Sequence, residues 1–352
     1  MKKIVKTCLT IIGIVLIIVV GLLIFLSVTE YRPDEKESVN VNGNSVKKLR
    51  QGDTVSILTY NIGYGALSQS EDFFMDGGKK VRPDSKQVIE DNMKGIKNQI
   101  QEQNVDVVFL QEVDQDSKRS YHVDEAQTLW NKNQGNMAFA PNFVCKYVPY
   151  PLPPIGKVYG GIMTVNSYDV KSAERIAFPS SFKWPISMCN LKRCLLVERA
   201  PIAGTDKEMV FINLHLEAYD SGEGKRLQSE MLAKVMKVEY EKGNYVIAGG
   251  DFNQSFSCVD ENKYPVKNKD YFVAGKLPEE YFGDEWQIVM DDKTPTSRLL
   301  NEPYNSDSED TQYYMLDGFI VSPNLKIETL QTQDYNFAYT DHNPVKITVK
   351  LR

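Results

Sequence analysis

Six short segments of this chain place chemistry-bearing side chains at the ends of hydrophobic runs. Asn61 closes the run Val55–Tyr60, and Gln111 with Glu112 closes Val105–Leu110. His215 follows Met209–Leu214, and Asp251 and Asn253 follow Tyr245–Ala248 within Gly249-Gly250-Asp251-Phe252-Asn253. Asp317 sits inside Met315-Leu316-Asp317-Gly318-Phe319, and Asp341-His342 precede the last run, Val345–Leu351. The chain has three histidines, His122, His215 and His342, and two of them fall in these segments. Taken singly, most are ambiguous. Glu112 reads as an exposed turn residue as readily as a ligand, and Asp251 with Asn253 suits a plain Asx turn. Asp317 says more, because a carboxylate among apolar neighbours is costly without a partner or a metal. Together they offer hard oxygen donors for a cation and imidazoles for proton transfer. No Cys/His cluster has zinc spacing.

The elements that must position these groups alternate between strand and helix. Ile89, Met93, Ile96 and Ile100 recur at helical spacing and predict a helix from about Ser85 to Gln103, capped by Asp84 or Ser85. Leu227, Met231, Val235 and Val238 stripe a second helix. The runs named above read as buried strands, as does Tyr314–Val321, and Met137–Val148 and Val170–Phe178 are β-rich. No repeat or composition shift divides residues 53–352, so they read as one layered α/β domain. In such a domain, loops at strand ends converge on one crevice. Residues 255–312, rich in charge and Asn, read as a long surface insertion.

The N-terminus differs. Cys8 to Val28 contains no Asp, Glu, Lys or Arg. As a helix at ~1.5 Å per residue it reaches roughly 31 Å, one hydrocarbon thickness. Lys2, Lys3 and Lys6 precede it and acidic residues follow, so the positive-inside rule keeps the N-terminus cytoplasmic and exports the rest. A cleaved signal peptide is the competing reading, but the apolar run is longer than such peptides use. Residues 1–29 are therefore expected to be a cytosolic stub and transmembrane anchor, 30–52 a polar tether, and 53–352 the working domain. The chain carries 41 Lys+Arg against 47 Asp+Glu, for a net charge of −6. Without the three N-terminal lysines, residues 30–352 hold 38 basic groups and a net charge of −9. That excludes a protein coating nucleic acid through bulk positive charge, and an anionic substrate would need a divalent cation.

In order, Tyr60-Asn61-Ile62-Gly63, Leu110-Gln111-Glu112-Val113, Asn213-Leu214-His215-Leu216, Gly250-Asp251-Phe252-Asn253, Leu316-Asp317-Gly318-Phe319 and Thr340-Asp341-His342-Asn343-Pro344 resemble the motifs of the endonuclease/exonuclease/phosphatase superfamily. The resemblance covers residues 54 to 349. It implies a four-layer α/β/β/α sandwich of two mixed sheets and hydrolysis of a phosphoester with Mg²⁺, for which Mn²⁺ or Ca²⁺ are the substitutes. By resemblance Glu112, Asn61 and Asp341 hold the metal. His342 acts at the scissile phosphate, with Asp317 fixing its tautomer. Asp251 orients or deprotonates the attacking water, Asn253 donates to a phosphoryl oxygen, and His215 is a donor on the leaving-group side. The pair of histidines resembles the deoxyribonuclease and sphingomyelinase branches. Arg119, Tyr121 and Arg193 are candidates for substrate contact, and His122 reads as a surface or satisfied histidine.

The expected function is a membrane-tethered, extracytoplasmic phosphodiesterase of nuclease type. The alternatives are a lipid-headgroup phosphoesterase and, from another class, an inactive binding domain on the same fold. An apolar lip beside the site would favour lipid, and a track of Lys and Arg would favour nucleic acid. The substrate and the membrane are the implied partners, with no protein partner. Cys189 and Cys194 either close a small loop or stay as two thiols.

Overall fold

The computed structural model describes residues 2–131, 135–260 and 262–352. In chain order its strands begin with β1 (Lys36–Val39), β2 (Leu49–Arg50), β3 (Thr54–Asn61), β4 (Val107–Asp114), β5 (Asn136–Val148) and β6 (Gly156–Asn166). They continue as β7 (Ser172–Ala177), β8 (Cys194–Ala203), β9 (Glu208–His215), β10 (Tyr245–Asp251), β11 (Gln254–Ser255) and β12 (Gly275–Lys276). The last are β13 (Gln287–Val289), β14 (Ser297–Arg298), β15 (Tyr313–Tyr314), β16 (Asp317–Val321), β17 (Leu325–Thr332) and β18 (Val345–Leu351). The helices are α1 (Lys2–Val28), α2 (Lys86–Gln103), α3 (Glu125–Leu129) and α4 (Glu223–Glu241).

Two mixed sheets form the centre. One runs β17-β18-β3-β4-β6-β5, and the other β1-β7-β8-β9-β10-β16-β13 with β2 beside β8. Their inner faces meet through Val55, Ile57, Phe109, Phe211, Ile247, Phe319 and Ile347. The opposite face of the first sheet, through Leu58, Tyr60 and Leu110, packs on Ile89, Met93 and Ile96 of α2 and Leu129 of α3. The outer face of the second packs Ile212, Val246 and Ala248 on Leu232, Ala233 and Met236 of α4. This is the expected α/β/β/α sandwich. The central strands are covered on both faces, which is why they read as nearly unbroken apolar runs.

Three local expectations change. The stripe Leu227–Val238 lies beside the buried seam of α4; the buried face is Gln228, Ser229, Leu232, Ala233 and Met236, and Val238 is exposed. Polar Gln228 and Ser229 bury because they hydrogen-bond, Gln228 with Glu217 N and Ser229 with Lys225 O. Residues 30–52 are not all tether. β1 adds to the edge of a sheet through β7, β2 pairs with β8, and Leu49 is fully buried. Backbone pairing at a sheet edge needs no apolar run, so composition did not reveal it. Residues 255–312 also pack: Phe256, Leu277, Phe282, Trp286 and Met290 close the α4 side of the core.

Candidate functional site

Sheet register delivers the site. Asp251 of β10 lies opposite His215 of parallel β9 and opposite Asp317 of antiparallel β16. In the other sheet Asn61 of β3 lies opposite Gln111 of β4. Just beyond, the β4–β6 register shifts between Leu110 and Val113. Glu112 takes φ of 55° there, a left-handed conformation uncommon for a non-glycine residue. The bulge lets Gln111 turn inward to Asn213 Oδ1 at 2.7 Å while Glu112 faces a cavity. Gln111 and Asn213 thereby tie the two sheets beneath the site.

All eight expected site residues come together. Asn61 Nδ2 donates to Glu112 Oε1 at 3.1 Å and to Asp251 Oδ2 at 3.0 Å, while its Oδ1 takes the Gly63 N–H at 3.0 Å. Asn61 as oriented therefore holds two carboxylates in place. His342 Nδ1 is 2.8 Å from Asp317 Oδ2, which fixes the ring orientation and directs Nε2 toward Asp251 and Asp341, at 3.8 and 3.9 Å. His215 Nε2 lies 3.5 Å from the same Asp251 Oδ2. Asn253, at φ 50°, donates its backbone N–H to Asp251 Oδ1 and its Nδ2 to Leu216 O. Its amide is thus engaged by the backbone, and it positions Asp251.

Burial and charge set the two histidines apart. Burial alone would discharge His342, but Asp317, Asp341 and Asp251 overcome it and hold its imidazolium well above the ordinary histidine range. Burial, reinforced by Arg193 and His342, pushes His215 well below it. The two imidazoles are pushed in opposite directions, a separation suited to different roles. Burial and then Asp317 push Asp251 up to about 6, with His342 opposing. Asp341 is also raised to about 6, by burial and by Glu112, against the pull of His342. Two buried polar atoms here, His215 Nδ1 and Asp317 Oδ1, have no partner within the protein.

These side chains suit a divalent cation. Glu112 and Asp341 both line the cavity, and crowding of hard oxygens is relieved by positive charge. Asp251, Asp317 and His342 also offer ligand atoms within 4.8 Å of one another. In that trio Asp317 and His342 face each other, so the Glu112 side is the more open to a metal.

Of the three substrate-contact candidates, Arg119 and Arg193 line the cavity and Tyr121 does not. Arg119 pairs with Asp114 and lies 3.7 Å from the Tyr64 ring centroid, and Arg193 pairs with Glu217. The Tyr121 hydroxyl donates to Pro83 O. His122 is exposed and paired with Asp116. Sequence reasoning missed Thr296, whose Oγ1 accepts the N–H groups of Leu316 and Asp317, and Arg298, whose N–H donates to Asp341 O. Both lie in the segment read as a surface insertion, where no motif marks them. Tyr64 was also missed, although Gly63 and Gly65 around it were a signal of special backbone; it adopts φ 41°. Cys189 approaches Cys145, with sulfurs 3.5 Å apart, and Cys189 and Cys194 are both free thiols.

A cavity of about 720 Å³ opens from this cluster. Its far wall is apolar and includes Leu22, Leu23 and Leu26 of α1 with Val148, Ile155 and Met188. α1 is the one described helix long and apolar enough to cross a membrane, and a signal sequence passes the same test.

Comparison with known proteins agrees with this architecture. A structure described as an endonuclease/exonuclease/phosphatase from Beutenbergia cavernae superposes with a TM-score of 0.60 at 17% identity, covering 85% of this chain and 72% of that one. One from Bacteroides vulgatus gives 0.51 at 15% identity over 85% and 100% of the two chains. Humanized D. rerio TDP2 gives 0.50 at 15% identity over 84% and 98%. At such identities the likeness establishes fold alone. No curated protein matches the chain. The model of the Endonuclease/Exonuclease/phosphatase family matches residues 58–342, which takes in all eight expected site residues and leaves β1, β2 and β18 outside. The chain belongs to the endonuclease/exonuclease/phosphatase family, and its fold is of the phosphoesterase type.

Proposed function

We propose that the protein is a membrane-tethered, extracytoplasmic, Mg²⁺-dependent phosphoester hydrolase. The observation that carries the reading is the geometry that sets His215, Asp317 and His342 around Asp251 in a cavity also lined by Glu112 and Asp341. Asp251, tuned to about 6, accepts a hydrogen bond or a proton from the attacking water. The His342 imidazolium, oriented by Asp317, donates to a phosphoryl oxygen where negative charge builds. Neutral His215 stands on the other side of Asp251 and serves the leaving group. Glu112 and Asp341 would hold the cation, with Asn61 steadying Glu112. When bound, that cation supplies charge stabilisation to the phosphoryl oxygens. Mn²⁺ and Ca²⁺ are the substitutes to test.

The cavity wall supports one substrate branch over the other. Arg119 and Arg193 are already paired with Asp114 and Glu217, and the far wall is apolar and meets α1. That favours a lipid-headgroup phosphoester over a nucleic acid strand. The test is cleavage by the full chain in lipid nanodiscs, with Mg²⁺, of sphingomyelin, phosphoinositides, DNA, RNA and a generic bis-phosphodiester. Lipid cleavage that is lost with EDTA and in His342→Ala supports the reading. Glu112→Ala should weaken both activity and Mg²⁺ dependence, and an unchanged Mg²⁺ titration refutes its assignment. DNA or RNA cleavage alone would return the reading to a nuclease. Silence across the panel from a folded, metal-binding protein would leave a binding domain.

A further inference from the structure

The end of α1 does not run free into the domain; it is packed into it. Leu26 is buried with Phe143, Val148, Val158 and Met188, and Leu22 and Leu23 pack on the same cluster. Trp184 Nε1 donates to Ser27 Oγ at 3.1 Å, and Ser27 Oγ lies 3.0 Å from Met188 Sδ. One step later Lys192 Nζ meets Glu30 at 2.7 Å. Apart from Phe143 of β5 and Val158 of β6, these contacts come from two segments, 146–157 and 180–193.

The depth of the contacts matters. Leu22 precedes the end of α1, Val28, by six residues, about 9 Å along the helix axis. A span from Cys8 that stopped short of Leu22 would be only 14 residues, roughly 21 Å against a hydrocarbon core of about 30 Å. The membrane must therefore reach past Leu22, and whatever packs on Leu22 and Leu26 sits at bilayer depth. The surface of the two segments fits that position. Tyr150, Leu152, Trp184 and Ile186 are 69%, 89%, 61% and 63% exposed, unusually open for large apolar side chains. Neither segment contains an Asp or Glu, although residues 30–352 are net acidic, and Lys146 and Lys183 are exposed in them. An aromatic and aliphatic rim with lysines and no carboxylates is the composition of an interfacial surface facing anionic lipid.

We propose that segments 146–157 and 180–193 form a collar around the end of α1 that seats in the outer leaflet of the bilayer, with the mouth of the catalytic cavity held at the lipid surface. This rests on the reading of α1 as a membrane span. The collar fixes the site's height and tilt. A phosphoester headgroup can then reach the histidines while its chain lies along the apolar wall shared with Leu22 and Leu26.

The test uses the full chain reconstituted into mixed phosphatidylcholine and phosphatidylglycerol liposomes, with or without lipids brominated just below the headgroup. The protein should float with the liposomes, and bromine should quench a part of its tryptophan emission that disappears in Trp184→Phe. Leu152→Glu should lower cleavage of a vesicle-embedded phosphoester about tenfold, as expected for losing one inserted leucine, and leave cleavage of a soluble phosphodiester unchanged. Flotation with Trp184 blind to bromine overturns the collar while leaving the tether intact. Failure to float refutes the membrane span and the collar with it. If Leu152→Glu slows both substrates equally, the assigned role of the rim is overturned.

Discussion

Asp317→Asn isolates the charge that sets the state of His342. The substitution keeps the side chain's shape and removes its negative charge, 2.8 Å from His342 Nδ1. Two unit charges about 4 Å apart at an effective dielectric near 20 interact by about 4 kcal/mol, so the loss lowers the imidazole's pKa. Asp251 and Asp341, at 3.8 and 3.9 Å from Nε2, continue to support the positive charge. The His342 pKa is therefore expected to fall, with part of the support for its charge remaining. Since the raised pKa keeps the ring charged until pH passes it, His342 should set the alkaline limb of the activity profile, while protonation of Asp251, raised to about 6, sets the acid limb. In Asp317→Asn that alkaline limb should move toward acid, and kcat at neutral pH should drop by about 10²–10⁴ with a much smaller change in KM. The assay is a kcat–pH profile on a soluble phosphodiester, with circular dichroism to confirm folding. A kcat near the native value with an unmoved alkaline limb would refute the argument that Asp317 controls the charge of His342.

Three other outcomes are expected. His215→Gln should lower turnover by about 10² or more without shifting the Mg²⁺ titration, measured on the same soluble substrate; a shifted titration would place His215 at the metal instead. Glu198 is fully buried, with Oε2 accepting from Asn166, and burial pushes its carboxyl up to about 8. It is protonated when folded and ionised when unfolded between about pH 4.3 and 8, so it removes stability as pH rises, by about 1.4 kcal/mol per unit. Glu198→Gln should therefore be more stable than the native chain at pH 8 and close to it at pH 5 in urea unfolding; equal differences at both would exclude the buried-acid account. Gly95 lies in α2, where Ala would ordinarily gain about 1 kcal/mol, but a Cβ there would come 2.3 Å from the Tyr339 ring. Gly95→Ala should instead lose about 1–3 kcal/mol by thermal unfolding, and a raised Tm would show that Tyr339 moves aside freely.

The site was legible because its residues share a recurring address. A strand covered on both faces must be apolar along its length, so polar residues mark its boundaries; Asn61, Glu112, His215 and Asp251 stand where strands close, and Asp317 and His342 where the last ones open. The helix starting after Ser85 was legible for a related reason, since one apolar stripe faces one sheet. The stripe on α4 misled because hydrogen-bonded Gln228 and Ser229 occupy the buried seam, and hydropathy cannot see a satisfied polar group.

What the amino-acid order determined by itself was local: which runs are strands, where each one stops, which reactive group stands at the stop, and that an apolar helix precedes them. What only tertiary structure decided was relational. Register across β9, β10 and β16 sets His215, Asp251 and Asp317 side by side, although more than a hundred residues separate the first and last. The opposite shifts of two chemically identical imidazoles follow from their surroundings, Asp317 for His342 and burial reinforced by Arg193 for His215. The same holds for β1 at a sheet edge and for the packing of Leu22 and Leu26 beneath the cavity. The reason is physical. Propensity and periodicity report on a residue and its near neighbours, whereas a pKa, a ladder partner and a cavity wall depend on groups brought close only when the chain is folded.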